Sequence, residues 1–303
     1  MKKLLISLAI VVLGVFIADR MGGAVMGWVN QNSSDISAPK IKYLANDVSE
    51  DLLLMGTSRC NFHYVPSILK DSLGMSVYNG GIDASDNIFA HYYILNQILS
   101  HHTPKIICLE VMTNDYAKQS DPFKTVSFFA PYFGRNDRAD SIFRYAGTYW
   151  PYKLSHLYRY NAKAVSNLAG LLVNRQGGED HGYLPGPKPA SFPDRLEKAE
   201  TPLKVDSMKL FYLHKFINLC RKKDIQLFFM VSPSYSIASE DLYDVLKKEA
   251  SKYGIPFWDY HSQGLYLDHP EYFKDGSHLW DKGARLYTSI FAHDLKEWIE
   301  KEL

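Results

Sequence analysis

Five short apolar runs, each closed by a glycine, a proline or a polar turn, alternate along this chain with longer stretches whose apolar residues recur at helical spacing. The runs are 51–55, 75–78, 105–110, 225–231 and 255–259. Continuous apolar strands of this kind suit a sheet covered on both faces. Helical spacing appears over Ile88 to Ser100, Val205 to Lys223, Glu240 to Tyr253 and from about Asp281 to Glu300, where Ala284, Tyr287, Ile290, Phe291, Leu295, Trp298 and Ile299 form one stripe. Strands that alternate with helices require right-handed crossovers and therefore a parallel sheet. The pattern predicts an α/β domain of three layers, α/β/α, around about five parallel strands. Ligands of such sheets bind at the carboxyl ends of the strands.

Two segments depart from this rhythm. Lys2-Lys3 and the apolar run Leu4 to Ala18, broken by Asp19-Arg20 and continued weakly to Val29, form a membrane segment over residues 1–29, either signal peptide or signal anchor. The absence of a small-x-small site after the run favours the anchor. Lys2 and Lys3 would stay on the cytoplasmic side, which predicts an extracytoplasmic location, periplasmic or cell-surface, for the chain beyond residue 30. Residues 30–48 are mostly polar and read as a stalk, so the folded domain is expected over 49–303. Inside it, residues 116 to 205 are rich in Gly, Pro and aromatics and read as an insertion with helices over Ala139 to Tyr145 and Lys153 to Leu172.

Composition narrows the function classes. With 303 residues and a net charge of +1, the chain is long enough for one large core and has no basic footprint for nucleic acid. Cys60, Cys108 and Cys220 have neither disulfide-scaffold nor zinc spacing and read as single buried thiols. His101-His102 lacks a partner at ligand spacing, and neither a metal nor a cofactor is expected.

The candidate chemistry lies in four stretches, each just after a predicted strand or before a helix: Gly56-Thr57-Ser58-Arg59, Asn79-Gly80-Gly81-Ile82-Asp83-Ala84, Glu110 to Asp115, and Asp275-Gly276-Ser277-His278. A nucleophilic serine needs a base to take its proton, the base needs an orienting carboxylate, and the developing oxyanion needs N–H donors. Ser58, His278 and Asp275 supply the first three roles. Taken singly, each stretch is an ordinary turn: Asp275 could close an Asx-turn and Asn114-Asp115 could cap a helix. It is their joint order and placement that points to catalysis. Arg59 reads as a solvated or structural cation and Glu110 as a loop-stabilising carboxylate.

In that order the stretches resemble the blocks of the SGNH (GDSL-like) hydrolases over residues 49 to 300, the middle insertion aside. The resemblance implies a flavodoxin-like SGNH fold, a serine acyl-enzyme, and an oxyanion held by Ser58 with Ala84 and Asn114. Three departures stand out: Thr57 replaces the usual aspartate, Ala84 the usual glycine, and the third block lacks its leading glycine. It further implies hydrolysis or transfer of an acyl group, acetyl by analogy with membrane-tethered members acting on cell-surface polysaccharides. A small-molecule or polysaccharide ester is the expected partner. Tyr132, Phe133, Tyr145, Tyr149, Trp150, Tyr152, Tyr158 and Tyr160 in the insertion suggest either a carbohydrate cleft or simple packing. The alternative function is an inactive binding or assembly component of an envelope polysaccharide system.

Overall fold

A computed structural model describes all residues except 35, 36, 86, 173–179, 195, 199–202 and 303. Five strands form one sheet: β1 (Leu52–Met55), β2 (Val77–Asn79), β3 (Ile106–Glu110), β4 (Gln226–Val231) and β5 (Phe257–Asp259), in the order β2-β1-β3-β4-β5 with every pair parallel. All five coincide with the apolar runs. Because successive side chains of a strand point to opposite faces, each run feeds two cores. Leu53, Met55, Ile107, Leu109, Leu227 and Phe229 face one side, and Leu52, Leu54, Ile106, Cys108, Phe228 and Met230 the other.

The helices, numbered in chain order, begin with α1 (Lys2–Asn32) and α2 (Ala38–Asn46). Around the sheet lie α3 (Ser58–His63), α4 (Pro66–Leu73) and α5 (Ile88–Ile98), and the insertion holds α6 (Asp137–Tyr145), α7 (Tyr149–Leu154) and α8 (Ala164–Leu172). The chain closes with α9 (Ser207–Lys222), α10 (Asp244–Lys252) and α11 (Asp281–Glu302). Helix starts follow local capping: Asn87 accepts from Phe89 N–H, Asn136 from Arg138 and Ala139, and Asp206 from Met208 and Lys209. Helices α3, α4 and α11 cover one face of the sheet, and α2, α5 and α9 the other.

Two sequence expectations are corrected. Residues 30–48 are not simply a stalk, because α2 packs on α5 and buries Ile41, Leu44 and Ala45 in the core, joined by Val48 just past the helix end. Its apolar positions at 41, 44 and 45 are a helical stripe diluted by lysines and asparagines. The expected helix over 153–172 is three pieces: α7, a 3-10 turn at Tyr158–Tyr160, and α8. The insertion aromatics mainly pack on one another. Phe133 contacts Phe143, Tyr149 and Tyr152, Tyr152 contacts Tyr158, and Tyr132, Phe133 and Tyr152 are buried.

One helix among the described residues, α1, is long and apolar enough to cross a membrane, and residues 1–18 are exposed all round. Asn79 at the end of β2 donates its N–H to the carbonyl of His181, so the 181–182 turn meets the free edge of the sheet, and Leu184 beyond it donates to the Asn61 carbonyl of α3. Gly182 there has φ +90°, and a Cβ on it would stand 2.3 Å from the Asn79 carbonyl oxygen, so only glycine fits.

Candidate active site

Strand β1 ends at Met55, and two residues later the chain turns into α3, whose first residue is Ser58. This sharp turn leaves the Ser58 hydroxyl half-exposed at the carboxyl edge of the sheet. His278 arrives from the opposite end of the chain, in the loop before α11. Its Nε2 lies 2.8 Å from Ser58 Oγ, and its Nδ1 lies 2.9 and 3.1 Å from the two oxygens of Asp275. The nucleophile, base and orienting carboxylate expected from the sequence thus form one hydrogen-bonded chain.

The Asp275 carboxylate does more than meet the imidazole. Its Oδ1 also accepts the backbone N–H groups of Ser277 and His278, both at 2.9 Å, in an Asx-turn that fixes the loop. Partial burial pushes this carboxyl up, but the hydrogen bonds from His278 and the two N–H groups outweigh it and hold the group at about 2. Asp275 is therefore ionised whenever His278 could act as a base. One carboxylate thus both closes the Asx-turn and meets the imidazole.

Beneath Ser58 lies a buried polar network. Arg59 is buried and pairs with Glu110 at 3.1 Å, so it is structural rather than solvated. Glu110 Oε1 accepts the N–H of Ser232 at 3.0 Å and its hydroxyl at 2.7 Å, and Glu110 Oε2 accepts the Tyr64 hydroxyl. Arg59 in turn donates to the Ser232 carbonyl. Burial pushes the Glu110 carboxyl up, while Arg59, Tyr64 and Ser232 oppose that shift. These bonds weld α3 to the ends of β3 and β4. A carboxylate at a strand end followed four residues later by Asn114 is visible in the sequence, but its partner Ser232 lies 122 positions away and no local signal connects them.

His63, which carries no motif in the sequence, closes the network. Its Nδ1 lies 2.7 Å from Ser232 Oγ, and its Nε2 accepts the N–H of Leu279 at 2.9 Å. Since Nε2 accepts, Nδ1 carries the proton. Burial first, then the charge of Arg59, holds this imidazole well below the usual histidine value, so it stays neutral.

Two further loops reach the same edge. Ala84 has φ 58°, the left-handed conformation that glycine reaches more cheaply, and its N–H has no acceptor among the described residues; nor has that of Ser58. Asn79 binds this loop to α3: its amide donates to the carbonyls of Cys60 and Tyr64, both at 2.8 Å, and its Oδ1 accepts Gly81 N–H at 3.0 Å. Buried Lys40 of α2 donates to the Gly81 carbonyl at 2.7 Å and to Asn61, whose amide reaches Asp83 at 2.8 Å. Asn114 sits in a 3-10 turn, Thr113–Asp115, whose entry is fixed by Asp115 accepting Met112 N–H at 2.8 Å. Lys209, also buried, donates to the carbonyls of Asn114 and Ala117, each at 2.7 Å. Thr57, which replaces the usual aspartate, has its hydroxyl 3.2 Å from the sulfur of Met112. Lys40 and Lys209 give no sign of their roles in the sequence, because a lysine ordinarily signals solvent.

The rings nearest His278 are Phe62 and His63, with centroids 5.5 and 6.2 Å away, and Lys274 stands over Phe62. Rings of the insertion instead meet one another and Tyr212 of α9. All three cysteines are free and buried, with burial pushing each thiol up. No group of three or more His, Cys, Asp or Glu able to hold a metal occurs among the described residues.

No family model matches this chain, and no curated protein matches it. Solved structures do resemble it. One, from Bacteroides fragilis and named an acylhydrolase, is 14% identical with TM-score 0.43, covering 86% of this chain and 94% of its own. A GDSL-like lipase from Bacteroides thetaiotaomicron is 12% identical with TM-score 0.40, covering 83% and 88%. A lipolytic protein of the G-D-S-L family from Desulfitobacterium hafniense is 8% identical with TM-score 0.38, covering 80% and 98%. At these identities no residue role is carried over from them. With a parallel five-stranded sheet and its four blocks in order along the chain, this protein resembles the SGNH (GDSL-like) hydrolases.

Proposed function

We propose that this chain is a membrane-anchored, extracytoplasmic serine hydrolase that opens ester bonds through an acyl-enzyme on Ser58. The observation that carries the reading is the continuous hydrogen-bonded chain Ser58, His278, Asp275, with 2.8 Å between hydroxyl and base. Ser58 Oγ attacks the carbonyl carbon while its proton passes to His278 Nε2, and ionised Asp275 stabilises the imidazolium through Nδ1–H. The tetrahedral oxyanion is received by the N–H groups of Ser58 and Ala84 and by the Asn114 side chain. Removing one such donor typically costs about 3 kcal/mol or more in the barrier. Collapse expels the alcohol, which takes the proton back from His278 Nε2 and leaves the acyl group on Ser58. A second nucleophile, water or an acceptor hydroxyl, then repeats the sequence in reverse.

An acetyl group is a small acyl compatible with this scheme, and a cell-surface carbohydrate is the acceptor that an extracytoplasmic anchored enzyme would meet. The insertion rings offered for sugar stacking largely form their own packed cluster, so this acceptor rests on location alone. The test is chemical. Full-length protein in detergent should label with a fluorophosphonate at Ser58 and hydrolyse p-nitrophenyl acetate, and Ser58→Ala should lose both at an unchanged melting temperature. Failure of the wild-type protein to do either would favour an inactive binding component.

A further inference from the structure

The insertion approaches α1 just past its all-apolar half. Asp19 of α1 accepts the N–H groups of His156 at 2.9 Å and Leu157 at 3.2 Å as well as the Ser155 hydroxyl, and Arg20 donates to the Leu154 carbonyl at 3.2 Å. One turn on, Gly23 lies so close to His156 that a Cβ would meet it at 2.5 Å. The segment 154–157 is therefore locked to the helix at the level of residues 19–23.

That level can be compared with a bilayer. The hydrocarbon core is about 30 Å thick and takes about 20 helical residues. Counted from Leu4, which follows the two lysines, such a span ends near Gly23. Asp19 and Arg20 then fall at the outer boundary of the core, where an unsatisfied carboxylate would be costly. Three donors from the insertion satisfy it. In and beside that segment the insertion exposes large apolar side chains, Trp150 (60% exposed), Leu154 (69%) and Tyr158 (44%), and Lys153 lies over the Trp150 ring at 5.2 Å. Trp and Tyr with a neighbouring basic group are the composition of a membrane–water interface. On the exposed face of α1, Met21, Val25 and Trp28 continue the apolar surface.

We propose that the α7 corner, Trp150 to Tyr158, is a lipid-binding surface immersed in the outer-leaflet interface beside α1. The proposal rests on the anchored reading of α1, and commits to a bilayer as occupant because the patch is continuous with the helix that would cross it. In such an arrangement α1 belongs to the folded unit and fixes the orientation of the catalytic domain to the membrane.

Full-length protein in phosphatidylcholine–phosphatidylglycerol vesicles, carrying a nitroxide at Trp150→Cys, Leu154→Cys, Val11→Cys or Leu286→Cys in turn, tests this by oxygen against nickel-chelate accessibility. The native cysteines are buried, and Leu286, 42% exposed on α11, is the aqueous control. Positions 150 and 154 should show an oxygen-to-nickel ratio several-fold above position 286. If they match position 286 while position 11 reports lipid, the lipid surface is overturned and the patch belongs to a protein partner. If position 11 also reports water, the anchored reading falls and this proposal with it.

Discussion

The backbone N–H of Leu279 donates to Nε2 of His63 at 2.9 Å, so the helix that begins with Ser58 holds the loop that presents His278. The two residues are 216 positions apart. The imidazole of His63 is thereby a splint between the Ser58 helix and the His278 loop, and its burial keeps it neutral.

The splint predicts a pH dependence. In the unfolded chain a histidine titrates near 6.5, whereas folded His63 is held well below that value. Between these two values the unfolded chain binds more protons. Its stabilising contribution is therefore complete above about pH 6.5 and is lost as the pH falls through the interval. Urea denaturation from pH 7.5 to 5 should show wild type losing stability more steeply than His63→Gln, and equal slopes would refute the assignment.

Asp275→Asn should keep the Asx-turn acceptor but lose the charge that stabilises the imidazolium. We expect kcat on an activated ester to fall by about 10² to 10⁴-fold with little change in melting temperature, the lower end reflecting the half-exposed site. A change below threefold would remove Asp275 from the triad.

Ala84→Gly should relieve a left-handed backbone while preserving the N–H. The strain of about 1–2 kcal/mol is offset by the greater unfolded-state freedom of glycine, leaving a gain of up to about 1 kcal/mol. Activity should change little. Chemical denaturation and steady-state kinetics on the same protein check both parts, and a destabilised variant would contradict the observed φ.

Arg59→Met strands Glu110 in a buried site and should cost about 3–5 kcal/mol, whereas Arg59→Met with Glu110→Gln should recover part of that loss. A double-mutant cycle by calorimetry measures the coupling. Additive losses would mean that the pair acts only through packing.

Lys40→Met removes a donor to the Gly81 carbonyl and should lower kcat without abolishing fluorophosphonate labelling, since Ser58 and His278 are untouched. Burial, partly offset by Cys60 and Asp83, lowers the Lys40 ammonium to about 8 from an unfolded 10.5. The unfolded chain binds the extra proton between these values. Wild type should therefore gain stability relative to the methionine variant as the pH rises from about 8 to 10.5. No relative gain would mean that folded Lys40 keeps its proton over this range, against a buried ammonium lowered to about 8.

Much of this protein is legible locally. The five strands are contiguous apolar runs, the long helices α5, α9 and α11 carry periodic stripes, and the residues that meet at Ser58 occur as short blocks whose order along the chain matches the order of the loops. Helix α2 is hidden because Lys40 and Lys42 dilute its stripe, and Arg59 looks like any surface cation. A buried ion pair or a buried lysine is stabilised by acceptors that sequence separation conceals: Glu110 for Arg59, Gly81 for Lys40, the carbonyls of Asn114 and Ala117 for Lys209. Hydrophobic periodicity and loop chemistry act over a few neighbouring positions, and they suffice to specify the sheet, the membrane-length helix and the candidate nucleophile, base and carboxylate. The burial of particular polar groups, the mutual packing of the insertion aromatics and the grip of the insertion on α1 emerge in three dimensions alone, because desolvation is set by groups brought together from distant parts of the chain.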